Sequence, residues 1–296
     1  MFKLIPRTQL EINGFLEADL RDTNNDRWSD AEIYRAVNRA LSTWDTRVLI
    51  PFVYAFTFAT NEKEYSLPEY VQEPLEVQWQ VSGEDFWRDL GIFDVHTATA
   101  AAKVLRLAYY PYSASGRVVY WVANGPVPTT IPTLNAAISS TTATTCTMTA
   151  VPVIGQNGYV KINAEWMAYH GPTQTETVTT LNNLERGLFG TTAATHLSGA
   201  TVNWGIVTHR TDLFEQLQAQ AIAHLHSLFL TNASAHEVET HQFNLRWQQQ
   251  QADEYWRRYT PMRQPKMRLT RDGIGSLPGR RNSYRYEIYD GVWWVE

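Results

Sequence analysis

Apolar residues recur at two different periods along this chain, and the switches between them mark out its elements. A helical spacing begins at Thr8. Its hydroxyl can cap the first turn while Glu11 reaches back, a Thr-x-x-Glu capping box, and Ile12, Phe15, Leu16 and Leu20 then share one face. The polar stretch Asp22 to Arg27 ends that helix. A second box, Ser29-x-x-Glu32, opens another, with Ile33, Val37, Leu41 and Trp44 at helical spacing. Pro51 is expected to close the region, because proline cannot donate a helical hydrogen bond. Two short helices with a polar turn between them predict a helical hairpin.

From Phe52 to Val122 the period becomes two. PFVYAFTFAT alternates large and small residues, EYSLPEYV reads as a strand meeting a turn at Pro68, and PLEVQWQV, KVLRLAYY and GRVVYWVA continue the pattern. Gly116 fits a hairpin turn. A small antiparallel sheet packed on the helices is expected. NGPVPTTIP is dense in Gly, Pro and Thr and reads as a linker. A β-unit follows, from about Thr133 to Trp204, whose Thr-rich start is strand-prone and anchored by Ile138, Cys146 and Met148.

The helical period returns at Thr211, with Phe214, Leu217, Ala221, Leu225 and Leu228 on one stripe. After a turn near Thr231 to Ala233, Ser234-x-x-Glu237 opens a last helix. Its inward positions are Val238, Leu245, Ala252, Trp256 and Tyr259, and Pro261 and Pro265 end it. Breakers and a strand-like alternation (Tyr284, Tyr286, Ile288) make the remainder an arm rather than a domain.

These elements predict an α+β fold: a helical bundle with a small antiparallel β-sheet, an inserted β-barrel or sandwich-like domain, and an extended C-terminal arm. The expected divisions are 1–132 (helical hairpin plus sheet), 133–205 (inserted β-domain), 206–262 (helix pair completing the core) and 263–296 (basic aromatic arm). A unit set between two linkers folds as its own layer with its ends close together. Removing Thr133 to Trp204 and rejoining the ends is therefore expected to leave the helical core folded.

With 296 residues, 44% of them hydrophobic and 19% charged, the chain can bury a core, and wholesale disorder is excluded. Eleven Trp and fifteen Tyr exceed what packing alone needs and point to interfaces. The single cysteine, Cys146, excludes an intrachain disulfide and a Cys-based zinc cage. No long apolar run suggests a membrane span or a secretion signal, so the protein is expected to be made and kept in a cell or packed into a particle assembled there. Charge is uneven: Arg257 to Arg285 carries +8 and the remainder −13. Such asymmetry suits a basic arm meeting an acidic partner.

Motifs of catalysis fail on spacing. His236-Glu237 and His241 approach a zinc-protease helix, but the histidines are five apart and point roughly 140° away from each other at 3.6 residues per turn. DTNNDR, from Asp22, lacks the glycine and the terminal Glu of a calcium loop and reads as a turn cap. His224 and His226 diverge on their helix, and His96, His170, His196 and His209 are scattered. GIGSLPG lacks the Lys of a phosphate loop. No enzyme activity, no metal and no cofactor is expected. Within the β-unit, Glu165 needs a partner if buried, and Arg186 offers a matching planar fork, a structural ion pair. Trp166 and Tyr169 could alternatively line a carbohydrate groove. Gly187 and Gly190 supply turn conformations.

The segment from Gly158 to Val202 carries a pattern: Glu165-x-x-x-Tyr169, Arg186-Gly187-x-x-Gly190-Thr191, His196, then Gly199-Ala200-x-Val202. It resembles a module recurring in structural proteins of tailed bacteriophages. WSDAEIYRAVNRALSTW, the EYSLPEYV step and the long helix pair before a Pro-rich basic tail resemble, in order and texture, the head-to-tail adaptor (connector) proteins of these phages. The resemblance implies a homo-oligomeric ring, usually dodecameric, in the virion neck. It would sit beneath the portal vertex, join the portal protein to a tail nozzle, stopper or tail tube protein, and let double-stranded DNA pass its lumen during genome ejection. Such a protein is made in the host cytoplasm and has no membrane partner. Adaptors of this kind reach the portal with a C-terminal arm, which agrees with the mixture of cations and aromatics at Arg280, Arg281, Tyr284, Arg285, Tyr286, Ile288, Tyr289, Val292, Trp293 and Trp294. Strand addition to a partner's sheet edge would bury such a segment. Folding back on its own chain and binding nucleic acid stay open, as does a glycan-binding tail or baseplate component.

Overall fold

The computed structural model describes residues 4–20, 22, 27–44, 48–71, 73–81, 83, 86–90, 93–99, 102–108, 114–230, 235–258, 286–289 and 292–295. The chain opens with β1 (Ile5–Thr8), α1 (Gln9–Leu20) and α2 (Asp30–Ser42), then runs through β2 (Leu49–Phe58), β3 (Glu64–Leu67), β4 (Glu73–Gln80), β5 (Arg88–Asp89), β6 (Phe93–Thr99), β7 (Ala102–Leu107) and β8 (Ala114–Ala123). The β-unit holds β9 (Cys146–Thr149), β10 (Asn157–Ile162), β11 (Glu165–His170), β12 (Thr173–Gln174), β13 (Val178–Leu181), β14 (Glu185–Leu188) and β15 (Val202–Thr208). Helices α3 (Thr211–Leu230) and α4 (Ala235–Arg258) follow, and β16 (Tyr286–Tyr289) and β17 (Val292–Val295) come last.

One five-stranded antiparallel sheet, in the order β1-β15-β10-β11-β14, organises the rest. Side chains alternate across a strand, and here both faces are covered. Val160, Ile162, Met167, Tyr169, Val202, Trp204 and Ile206 join one apolar cluster with Ile12 and Leu16 of α1, Ile33 and Val37 of α2, and Phe214 and Leu217 of α3. Tyr159, Trp166, Ala168 and Val207, on the opposite face, join a second cluster with residues of β2, β4, β7 and β8. Strand β11 is consequently buried at every position. The second cluster is completed by a four-stranded sheet, β2-β8-β4-β5, and a three-stranded one, β3-β7-β6. A further three-stranded sheet, β12-β13-β9, belongs to the β-unit.

The fold is thus mixed α+β, as expected, but its organisation differs from the bundle-plus-insert picture. None of the sheets closes into a barrel. The helices are not shown as a bundle: their apolar faces share a core with the five-stranded sheet.

Local signals explain much of the rest. Glu11 Oε2 accepts from the Thr8 amide at 2.8 Å and Thr8 Oγ1 from the Glu11 amide at 3.2 Å, a complete capping box. Glu32 reaches back to the Ser29 amide at 2.9 Å. The α2 stripe, Ile33, Val37, Leu41 and Trp44, is buried throughout, and the Trp44 indole N–H bonds Gln216 Oε1 at 2.6 Å to tie α2 to α3. Asp22 accepts from the Arg27 and Trp28 amides, as a turn cap does. Other expectations gave way. Phe15 and Leu228 are exposed. Pro51 lies inside β2, because α2 has already ended and an edge strand tolerates a residue without an N–H. Gly116 sits within β8 rather than at a turn; a Cβ there would stand 2.7 Å from the Phe58 ring, so close packing requires the glycine.

The expected linker is held down at its first residue and at Val127 by side-chain amides that imitate strand pairing. Asn124 Nδ2 donates to the Val207 carbonyl and its Oδ1 accepts from the Val207 amide, both at 2.8 Å. Asn38 does the same to Val127, again at 2.8 Å each way. Such bonds contribute on the order of 1 kcal/mol each, and more is lost if a buried backbone group is left unpaired.

These contacts reverse the expectation for the shortened chain. Removing Thr133 to Trp204 strips the apolar faces of α1, α2 and α3 of their cover and takes β10, β11 and β14 out of the five-stranded sheet, leaving only β1 and the Gly205 to Thr208 segment that pairs with it. The excised chain should lose its cooperative thermal transition by circular dichroism; a sharp transition close to that of the full chain would show that the helices hold a core of their own.

Candidate functional site

Glu165 begins β11 and is 1% exposed. A carboxylate so placed must find donors for all its lone pairs, and the chain supplies them from one loop. Oε1 accepts from Arg186 Nε at 2.6 Å and from the Gly187 amide at 3.1 Å. Oε2 accepts from Arg186 Nη2 at 2.8 Å, the Ala194 amide at 3.0 Å and His196 Nε2 at 2.7 Å. With Nε2 donating, His196 Nδ1 is left to accept from Asn163 Nδ2 at 3.2 Å. Arg186 also donates to the carbonyls of Ser140 and Ala194. The expected ion pair therefore forms, bidentate and buried, and gathers Asn163, Gly187, Ala194 and His196 around it.

The rest of the motif builds the loop that brings those donors in. Thr191 Oγ1 accepts from the Trp166 amide at 3.0 Å and donates to the Leu188 carbonyl at 2.7 Å, closing the turn after β14 onto β11. Gly187 has φ +69°, and a Cβ there would lie 3.1 Å from backbone atoms of Thr191 and Ala193, so conformation and space both require glycine. The following segment is fixed by the Ile138–His196 and Thr133–Thr201 bridges. Chemically this is a staple. Glu165 and His196 are sealed from solvent, with every carboxylate contact internal.

A second buried polar group joins the β-unit to the sheets beneath it. The Tyr120 hydroxyl of β8 meets Asn157 Oδ1 at 3.0 Å and His170 Nδ1 at 3.1 Å, and Asn157 Nδ2 donates to the Tyr70 carbonyl at 2.9 Å. The Phe52 ring packs edge-on against His170 at 5.0 Å. Sequence reasoning missed this group; its one signal was a pair of polar residues, Asn157 at the start of β10 and His170 at the end of β11.

Trp166 and Tyr169 line no open groove: both are buried, on opposite faces of the sheet. Among the described residues no group of three His, Cys, Asp or Glu could hold a metal ion, and no helix is long and apolar enough to cross a membrane. The side chains of His236, Glu237, Val238 and His241 lie outside the described residues, as does Tyr259. Of the expected portal-binding residues, Arg280, Arg281, Tyr284 and Arg285 also lie outside them. Tyr286, Ile288, Tyr289, Val292, Trp293 and Trp294 fall on β16 and β17, which pair with each other, Ile288 opposite Trp293. The described end of the arm is thus a hairpin and not a single extended strand.

Comparison with protein-family models and with curated proteins finds no match.

The titratable groups make two predictions. Burial pushes the Glu165 carboxyl up, but the Arg186 fork, the Ala194 amide and His196 together outweigh it and hold the pKa at about 2, below its ordinary 4.5. A group depressed on folding contributes stability that is full above its unfolded pKa and lost as pH falls through the folded one. Glu165→Gln should cost about 3–5 kcal/mol near neutral pH, the range for breaking a buried pair. In urea unfolding the gap to wild type should close between about pH 4.5 and pH 2; a gap independent of pH would mean that the carboxylate charge is not its source. Glu76 in β4 behaves oppositely. Burial pushes it up to about 7, against a 2.7 Å hydrogen bond from Gln78, whose Oε1 accepts from Arg117. A raised carboxyl loses stability as pH climbs from the unfolded to the folded pKa, so Glu76→Gln should melt higher than wild type at pH 8. Its advantage should vanish at pH 4.

Proposed function

We propose that this chain is a structural protein of a tailed-phage virion, a connector that forms a ring, dodecameric as is usual for such proteins, between the portal vertex and the tail. The observation that carries this reading is the chemistry of the Glu165 staple. The residues on which the chain resembles a phage virion module, Glu165, Arg186, Gly187, Thr191 and His196, satisfy one another and leave no group free for a substrate. A motif consumed in this way serves rigidity, which suits a protein that transmits load between assemblies. The N-terminal helices and the later helix pair that carry the wider resemblance lie in contact through α3, and the acidic body, −13 outside the basic segment, suits a lumen through which DNA slides without sticking.

In this reading the portal is met by the C-terminal segment, and the tail nozzle, stopper or tube protein by another face of the ring. Deleting Gly279 to Glu296 should leave a folded protein that no longer binds portal protein in a pull-down. Undiminished binding would overturn that assignment. Steeply salt-dependent binding of DNA by the intact chain, lost in the same deletion, would favour a nucleic-acid-binding arm instead.

A further inference from the structure

Two buried polar atoms on the strands that flank β10 have no partner within the chain. The Tyr169 hydroxyl of β11 and the Trp204 indole N–H of β15 belong to side chains 0% and 2% exposed, and neither makes a hydrogen bond among the described residues. Their ring centroids stand 6.1 Å apart, with the planes at 61°. Burial raises the pKa of the Tyr169 hydroxyl and the Trp204 N–H acts against that rise, so the two groups are neighbours. They do not line up as donor and acceptor. Buried polar groups bond either to the chain or to an ordered water, and true orphans are rare. Tyr169 is also the motif position that takes no part in the Glu165 staple.

Both residues line one small cavity of about 10 Å³, which Asn124, Gly125, Gly158 and Gly205 also border. It lies where two strands part. Strand β10 pairs with β15 from Ile162 and Val202 as far as Tyr159 and Gly205. Beyond that point Val207 takes the Asn124 side chain as its partner. Gly125 follows, so close to the chain before β10 that a Cβ on it would stand 3.3 Å from Gly155 Cα. The first residues of the linker thus wedge into the fork between β10 and β15. Glycine keeps the space open, since a Cβ on Gly158 would stand 2.6 Å from the Tyr169 hydroxyl oxygen.

Size and lining select the occupant. A cavity of about 10 Å³ has room for a single water and for nothing larger. An indole N–H only donates, so the occupant must offer it a lone pair, which a bare cation cannot. No charged side chain borders the cavity among the described residues, so nothing there would hold an anion. Water meets each demand: it accepts from Trp204 and shares a hydrogen bond with the Tyr169 hydroxyl, and two polar partners suffice to hold it. We infer that the fork between β10, β15 and the linker binds one ordered water that bridges Trp204 Nε1 and Tyr169 Oη as a fixed part of the fold. The inference stands apart from the connector reading.

A crystal structure of the full chain at high resolution tests it. A density peak about 2.9 Å from both Trp204 Nε1 and Tyr169 Oη is expected. A direct bond between those two atoms, or a cavity with no peak in it, overturns the inference. In solution, oxygen-17 magnetic relaxation dispersion counts the long-lived internal waters. Tyr169→Phe leaves the site a single polar partner, so it should hold one such water fewer than wild type while keeping the wild-type circular dichroism spectrum. A folded Tyr169→Phe with an unchanged count overturns the inference as well. The crystal structure needs no substitution and decides the matter even where the variant folds poorly.

Discussion

Burial of the five-stranded sheet on both faces is the constraint from which the rest of the molecule follows. A sheet covered on one side can alternate apolar with polar residues; one covered on both must be apolar in both registers. Strand β11 meets that demand with Trp166 and Ala168 turned toward the sheets and Met167 and Tyr169 toward the helices. The polar residues at its two ends, Glu165 and His170, are buried by the same geometry and must be satisfied internally. One is answered by the Arg186 fork and the loop amides, the other, at its Nδ1, by Asn157 and Tyr120.

These two polar centres do different things. The Glu165 centre is local to the β-unit: it fastens the long loop after β14 to the start of β11, and without it that loop has little apolar content to hold it down. The Tyr120–Asn157–His170 centre works between layers, fixing the orientation of the four-stranded sheet against the five-stranded one. Apolar packing alone tolerates sliding; directional hydrogen bonds in a dry interior do not, since a misaligned partner leaves a buried group unpaired.

The chain made its helices legible and its layers much less so. The α2 stripe, the Thr8–Glu11 cap and the turn at Pro68 are local, written within a few residues of each other, and each forms as read. The Glu165–Arg186 pair was legible because a charge among aromatics demands an opposite charge. Its other donors were not: His196 and the Ala194 amide arrive through a loop whose path depends on backbone geometry at Gly187. Strand β1 has only Ile5 to Thr8, too short for any period to register, and is a strand because β15 lies beside it. Phe15 and Leu228, read on apolar stripes yet exposed, show the complementary failure. A helical stripe identifies which residues are apolar, and cannot say whether the surface that covers them belongs to the same molecule.

The pairing of Ile5 with Thr208 also bears on how the protein comes into being. On a ribosome the first strand and the two helices after it emerge long before the strand that completes their layer. Their apolar faces must wait, through most of synthesis, for a partner some two hundred residues downstream. Closing so long a loop costs entropy before any contact repays it, and topologies of this kind fold slowly. The early-emerging helices are therefore the part of the chain most in need of protection while it is being made, and a nascent chain halted before Val202 has no route to its native layer order.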